Sequence, residues 1–110
     1  MTYHSKLATE FLNDLFDAIL LLKNREECYR FFEDVCTIKE LQAISQRLQV
    51  AKLLRANKTY HEIEEITGAS TATISRVNRC VLYGADGYNI ILDRLQREEE
   101  INNGEGEKEK

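Results

Sequence analysis

Residues 67–79, TGASTATISRVNR, gather the side chains with the most chemistry to offer in this chain. Ser70, Thr71, Thr73 and Ser75 bring hydroxyls that donate and accept hydrogen bonds. Asn78 adds an amide, and Arg76 and Arg79 add guanidinium groups. Hydroxyls and small methyls suit the edges of base pairs, since Ala72 or a threonine methyl can touch the thymine methyl while the oxygens meet polar base atoms. A cation such as Arg79 or Lys58 suits a backbone phosphate, which fixes register without reading sequence. His61, beside Glu62, Glu64 and Glu65, has three readings: a DNA contact, a catalytic base or a solvated helix residue. The residues offer little that points to catalysis. No paired carboxylates, glycine-rich phosphate loop or Cys/His pair has a spacing that suggests a reaction, so no enzyme is expected. The three cysteines, Cys28, Cys36 and Cys80, match no zinc spacing and read as reduced, mostly buried thiols of a cytoplasmic protein. No metal or cofactor is expected.

These side chains need a scaffold, and the pattern around them is helical. The chain has 110 residues and no proline, and its β-branched and aromatic residues are not arranged in alternating runs. Residues 5–23 predict a long helix whose apolar stripe (Leu7, Phe11, Leu15, Ala18, Leu22, widened by Leu12, Phe16, Ile19, Leu20 and Leu21) exceeds one face. That width predicts a second subunit. A shorter helix is expected over residues 25–35. Thr37, with Glu40 three residues on, predicts a capping box opening a third helix with Leu41, Ile44, Leu48, Ala51 and Leu54 inward. Thr59 and Glu62 repeat the box for a fourth helix with Ile63 and Ile66 inward. Gly68 is placed to end it in the left-handed conformation, and Ser70 to cap a fifth. On that fifth helix Ile74, Val77 and Val81 fall together at 100° per residue, opposite Ala72, Ser75, Arg76 and Arg79. Residues 88–97 predict a sixth helix with Tyr88, Ile91, Leu92 and Leu95 inward, and residues 98–110 a disordered acidic tail. One domain, 1–97, plus that tail is the expected organisation.

Residues 59–80 therefore read as helix, short glycine turn, helix: a helix-turn-helix whose second helix can enter a major groove. The net charge of −4 is unevenly spread. Residues 39–79 hold seven Lys/Arg against four Asp/Glu, while both flanking thirds are acidic. Local charge steers binding to polyanions, so the motif sits in the one third suited to DNA. A short helix-glycine-helix also occurs in structural bundles, and a helical protein-interaction module without DNA is the alternative. No run is long and apolar enough for a membrane span, and no secretory leader is expected.

The segment TIKELQAISQRLQVAKLLRANKTYHEIEEITGASTATISR, residues 37–76, resembles the core of the tryptophan repressor family and is most similar to its TrpR-related YerC/YecD group. The motifs that carry the likeness are "QR" in the third helix, "LLR" before the motif and "GAS-ATISR" through the turn. The likeness extends more loosely over residues 5–97. It implies an all-α fold of six helices, interlocked as a homodimer. It also implies a transcriptional regulator, a repressor in this reading, that binds double-stranded DNA at a two-fold symmetric operator. Two arginines of that family sandwich the indole of tryptophan, and Arg47 and Arg76 match them. The glycine after the second arginine is Val77 here, and a serine near the ligand's amino group is Cys80. The resemblance thus implies a ligand pocket partly kept and partly blocked: a small-molecule corepressor stays open, while tryptophan is disfavoured. On the DNA side, a basic residue of the family is His61 and a lysine is Glu64, so a different operator is expected.

Overall fold

Six helices account for the secondary structure of the computed structural model, which describes residues 3–108 and places no strand among them. They are α1 (Glu10–Leu20), α2 (Arg25–Val35), α3 (Ile38–Arg55), α4 (Tyr60–Thr67), α5 (Thr71–Tyr83) and α6 (Gly87–Lys108). The chain divides into two units, 1–41 and 42–110. The expected all-α fold of six helices is what forms.

In the first unit, each helix starts where a side chain can receive its free N–H groups. Thr9 accepts from Leu12 N at 3.1 Å, and Asn24 from Glu27 N at 2.9 Å. Thr37 and Glu40 form the reciprocal box expected of them, at 3.1 and 2.9 Å. Those bonds hold the Glu40 carboxyl below its ordinary range, because the Thr37 N–H and hydroxyl favour its charged form. The first helix is shorter than 5–23 because Thr9, not Ser5, is its cap. No residue of α1 is buried. Phe11 is 87% exposed and Leu20 80% exposed.

The second unit holds the core. Val50, Ala51, Ile63, Ala69, Ile74, Val77 and Leu92 are buried, with Leu48, Leu53, Leu54, Tyr60, Val81 and Tyr88 packed around them. Full burial of a Val or Ile side chain contributes roughly 1.5–3 kcal/mol, so Val50, Ile63, Ile74 and Val77 are the main apolar anchors of α3, α4 and α5. Two non-glycine residues that tolerate the left-handed conformation serve the other turns: Asn57 (φ 62°) between α3 and α4, and Asp86 (φ 71°) before α6. Asn89 ties α6 to α5 by donating to Val81 O at 2.9 Å. Arg55 joins α3 to α6, donating to Asn89 O at 3.2 Å and pairing with Asp93, and Lys52 reaches Glu99 at 3.3 Å.

Several inward assignments need correction. Ile66 is 63% exposed. The face of α4 turned to the core is Tyr60, Ile63 and Thr67, and Ile66 falls to its side. Val50, outside the expected stripe, is fully buried, whereas Ile44 is half exposed. The core surrounds the second half of α3 from more than one side. Ile91 and Leu95 stay exposed; within one chain α6 covers itself only through Leu92 and Tyr88. The tail expected at 98–110 does not begin with a helix end: α6 continues to Lys108, and residues 109 and 110 lie outside the described residues. Glutamate is a good helix former, and Gln96 donates to Glu100 one turn on at 3.3 Å.

Two substitutions weigh the turn against the core. Ile74→Ala should cost roughly 2–5 kcal/mol. Gly68→Ala, where φ is 73° and an added Cβ meets nothing within 4 Å, should cost roughly 1–2 kcal/mol from backbone conformation alone. Urea unfolding midpoints check both, and a neutral Gly68→Ala would show that the left-handed geometry is dispensable.

Candidate nucleic-acid interface

The short helix α4 is fixed at both ends. Thr59 and Glu62 form the second capping box, with bonds of 3.2 and 3.1 Å. At the other end the Gly68 N–H donates to Glu64 O at 2.9 Å. The turn that follows is dense in hydrogen bonds. Thr67 donates its hydroxyl to Ile63 O at 2.8 Å and accepts from Ala69 N at 3.1 Å, and Gln46 of α3 donates to Thr67 O at 3.1 Å. Ala69 is buried, so the turn is packed as well as bonded. The angle between α4 and α5 is thereby set by three helices at once.

Ser70 caps α5, accepting from Thr73 N at 3.2 Å and donating to Thr73 Oγ1 at 3.1 Å. Thr71 donates its hydroxyl across the turn to Glu64 of α4. Ile74 and Val77 face the core, while Thr71, Ala72, Ser75, Arg76 and Arg79 are exposed. At 100° per residue Thr71, Ala72, Ser75 and Arg79 fall within one exposed arc of α5, with Ser70 at its N-terminal end. Thr73 and Asn78 are half-buried on its flanks, and Thr73 is engaged in the cap. Lys58 is exposed just before α4. His61 is exposed and lies 3.1 Å from Glu65 on its own helix. Among the described residues no carboxylate pairs with Lys58, Arg76 or Arg79. The Glu64–Thr71 link was not anticipated from the sequence; its only trace there is a carboxylate and a hydroxyl on either side of the glycine turn.

The ligand-site residues are placed differently. Arg47 is half-buried on α3, and Arg76 and Cys80 are exposed on α5. Val77 is 1% exposed, with its side chain in the core instead of on the wall of a slot. Tyr88, not anticipated at this site, feels both Arg47 and Cys80. Burial pushes its phenol up; the Arg47 charge pulls it down, and Cys80 adds a smaller upward push. No group of His, Cys, Asp and Glu suited to a metal occurs among the described residues, and no described helix is long and apolar enough to cross a membrane.

The family model for the Trp repressor protein matches residues 10–96, a span that contains the turn, both helices of the motif and the Arg47 region. The chain belongs to the Trp repressor family. It is 58% identical over 94 residues to the uncharacterised protein YerC of Bacillus subtilis (strain 168), covering 86% of this chain and 90% of the relative. Two solved structures share its fold at a TM-score of 0.80 and 58% identity: a candidate Trp repressor from Staphylococcus aureus, with 83% of this chain and 91% of that one covered, and a TrpR-like protein from Eubacterium eligens ATCC 27750, with 83% and 94% covered. The YerC resemblance read from "GAS-ATISR" is therefore correct. The matched span stops just before the acid-rich end of α6.

The neighbourhood of Arg47 can be checked through Tyr88. The phenol already titrates above its ordinary value, and the Arg47 charge lowers it, so Arg47→Ala should raise its pKa further. Ultraviolet titration of the phenolate band reads this, with a Tyr88→Phe variant to assign the shifted component. An unchanged curve would place Arg47 away from Tyr88.

Proposed function

We propose that this chain is a sequence-specific DNA-binding transcriptional regulator, a repressor, that binds a two-fold symmetric operator as a homodimer in the cytoplasm. The observation that carries this reading is the exposed edge of α5. It combines small hydroxyl side chains with Arg76 and Arg79, which pair with no carboxylate among the described residues, on a helix whose other face is locked into the core. A helix held this way can sit in a major groove without losing its own packing. Membership of the Trp repressor family supports the same reading.

Roles along the edge follow from what each side chain is free to do. Ser70 and Thr73 are engaged in capping. Ala72 and Ser75 are uncommitted and face the groove floor, and Arg79 holds phosphate. Selection of bound duplexes from a random pool, followed by shift assays on the selected site, tests this. Ser75→Ala should relax preference at one position at a cost of roughly 1–3 kcal/mol. Arg79→Ala should weaken all duplexes alike and reduce the salt slope by about one. A pool that emerges unenriched would remove the DNA reading and favour a protein-binding module.

The dimer rests on surface left open by a single chain. Phe11, Leu20 and Leu21 on or beside α1, and Ile91 and Leu95 on α6, are exposed large apolar groups. Apolar surface on that scale marks an association site. Light scattering should give about twice the 12.8 kDa chain mass, and Leu15→Glu should dissociate or unfold the protein by forcing a carboxylate into the seam. A folded monomer at micromolar concentration would overturn the assembly.

A further inference from the structure

Glu64 occupies an unusual place for a carboxylate on a surface assigned to DNA. Its backbone is fixed, because its carbonyl accepts the Gly68 N–H that closes α4. Its side chain crosses the turn and accepts the Thr71 hydroxyl at the first residue of α5, beside Ala72. The side chain is half-buried, and no cation pairs with it among the described residues. His61, the nearest basic residue along α4, is turned to Glu65. An ionised carboxylate accepts at about four lone-pair positions, and the described hydrogen bonds use one of them. What remains is an anchored, unneutralised acceptor at the edge of the helix proposed to enter the groove.

Such a group cannot serve a phosphate, which would be repelled. It suits an amine that projects into the major groove. Glu and Asp accept from cytosine N4, whereas guanine presents only acceptors there. We infer that Glu64, held by Thr71 as a positioning residue, reads a cytosine in each half of the operator. This rests on the DNA-binding reading above and names a base for it. The same charge disfavours sites that put an acceptor opposite it, so Glu64 selects partly by repulsion.

The test uses the full-length chain with three changes at Glu64 and Thr71, each carried through selection from a random duplex pool. Glu64→Gln keeps an oxygen to accept from Thr71, so folding is preserved. Its amide matches adenine N6 and N7 instead of cytosine N4. The preferred base at one symmetric position should therefore move from cytosine in the wild type to adenine in E64Q, with the other positions unchanged. Glu64→Ala should lose preference there, erasing a wild-type discrimination of roughly 5- to 150-fold between cytosine and the other bases. Thr71→Val should blunt the preference at that same position, and Thr71→Ser, which retains the hydroxyl, should restore it. Base frequencies that stay the same in the wild type, E64Q and E64A, alongside a lower melting temperature for E64A, would overturn the assignment and leave Glu64 as a brace of the turn. A wild-type pool with no enrichment would overturn the DNA-binding reading, and the assignment with it. A wild-type pool with a clear site but no cytosine position would overturn the assignment alone.

Discussion

The turn between α4 and α5 is the constraint on which the second unit depends. An isolated helix of eight residues is marginal in water, so α4 exists because its ends are capped and Ile63 is fully buried. For Ile63 and Ile74 to meet, the chain must reverse within three residues. The left-handed Gly68 makes that reversal at no steric cost, and Ala69 is small enough to be buried inside it. Gln46 then fixes the turn to α3 through Thr67 O. Each of these contacts acts on the direction of α5, so the exposed edge of that helix inherits its orientation from the core.

The same economy governs the hydroxyl side chains. Composition alone presents four of them near the start of α5 as equivalent readers. In the fold they are divided: Ser70 and Thr73 satisfy the helix end, Thr71 is held by Glu64, and Ser75 is uncommitted. Cations are divided in a similar way. Of the seven in residues 39–79, Lys52 and Arg55 are engaged with Glu99 and Asp93 of α6. The basic third of the sequence therefore presents a thinner positive surface than its count implies. Such exposed pairs contribute little stability each, and their main effect is to decide which charges remain available to a polyanion.

What was legible in the sequence was local. Thr37 with Glu40, Thr59 with Glu62, Gly68 and Ser70 each act on backbone groups within four residues, so spacing suffices to find them. The fold class follows from periodicity for the same reason. Burial was less legible because it depends on neighbours distant in sequence. A stripe through Ile63 and Ile66 is reasonable helical spacing, but α3 and α5 approach α4 along Tyr60, Ile63 and Thr67. Val50 was missed because α3 is covered on more than one side. The Glu64–Thr71 bond joins two helices across a turn, and no propensity encodes it.

An acidic protein with a reading helix becomes less paradoxical once affinity and selectivity are separated. Contacts to phosphate raise affinity for every duplex alike, and a regulator must find one site among very many competing ones. In the proposed DNA-binding role, net negative charge lowers that indiscriminate background, while the exposed edge of α5, braced by its buried Ile74 and Val77, keeps its specific contacts intact. The acidic residues of α6 pair with Lys52 and Arg55 and partly neutralise them, and the carboxylates of α4 leave its outer side poorly suited to phosphate. On this view the acidity is part of the recognition strategy. If the chain binds DNA as proposed, weak general attraction lets the geometry of a few side chains on α4 and α5, set by one glycine turn, dominate the choice of site.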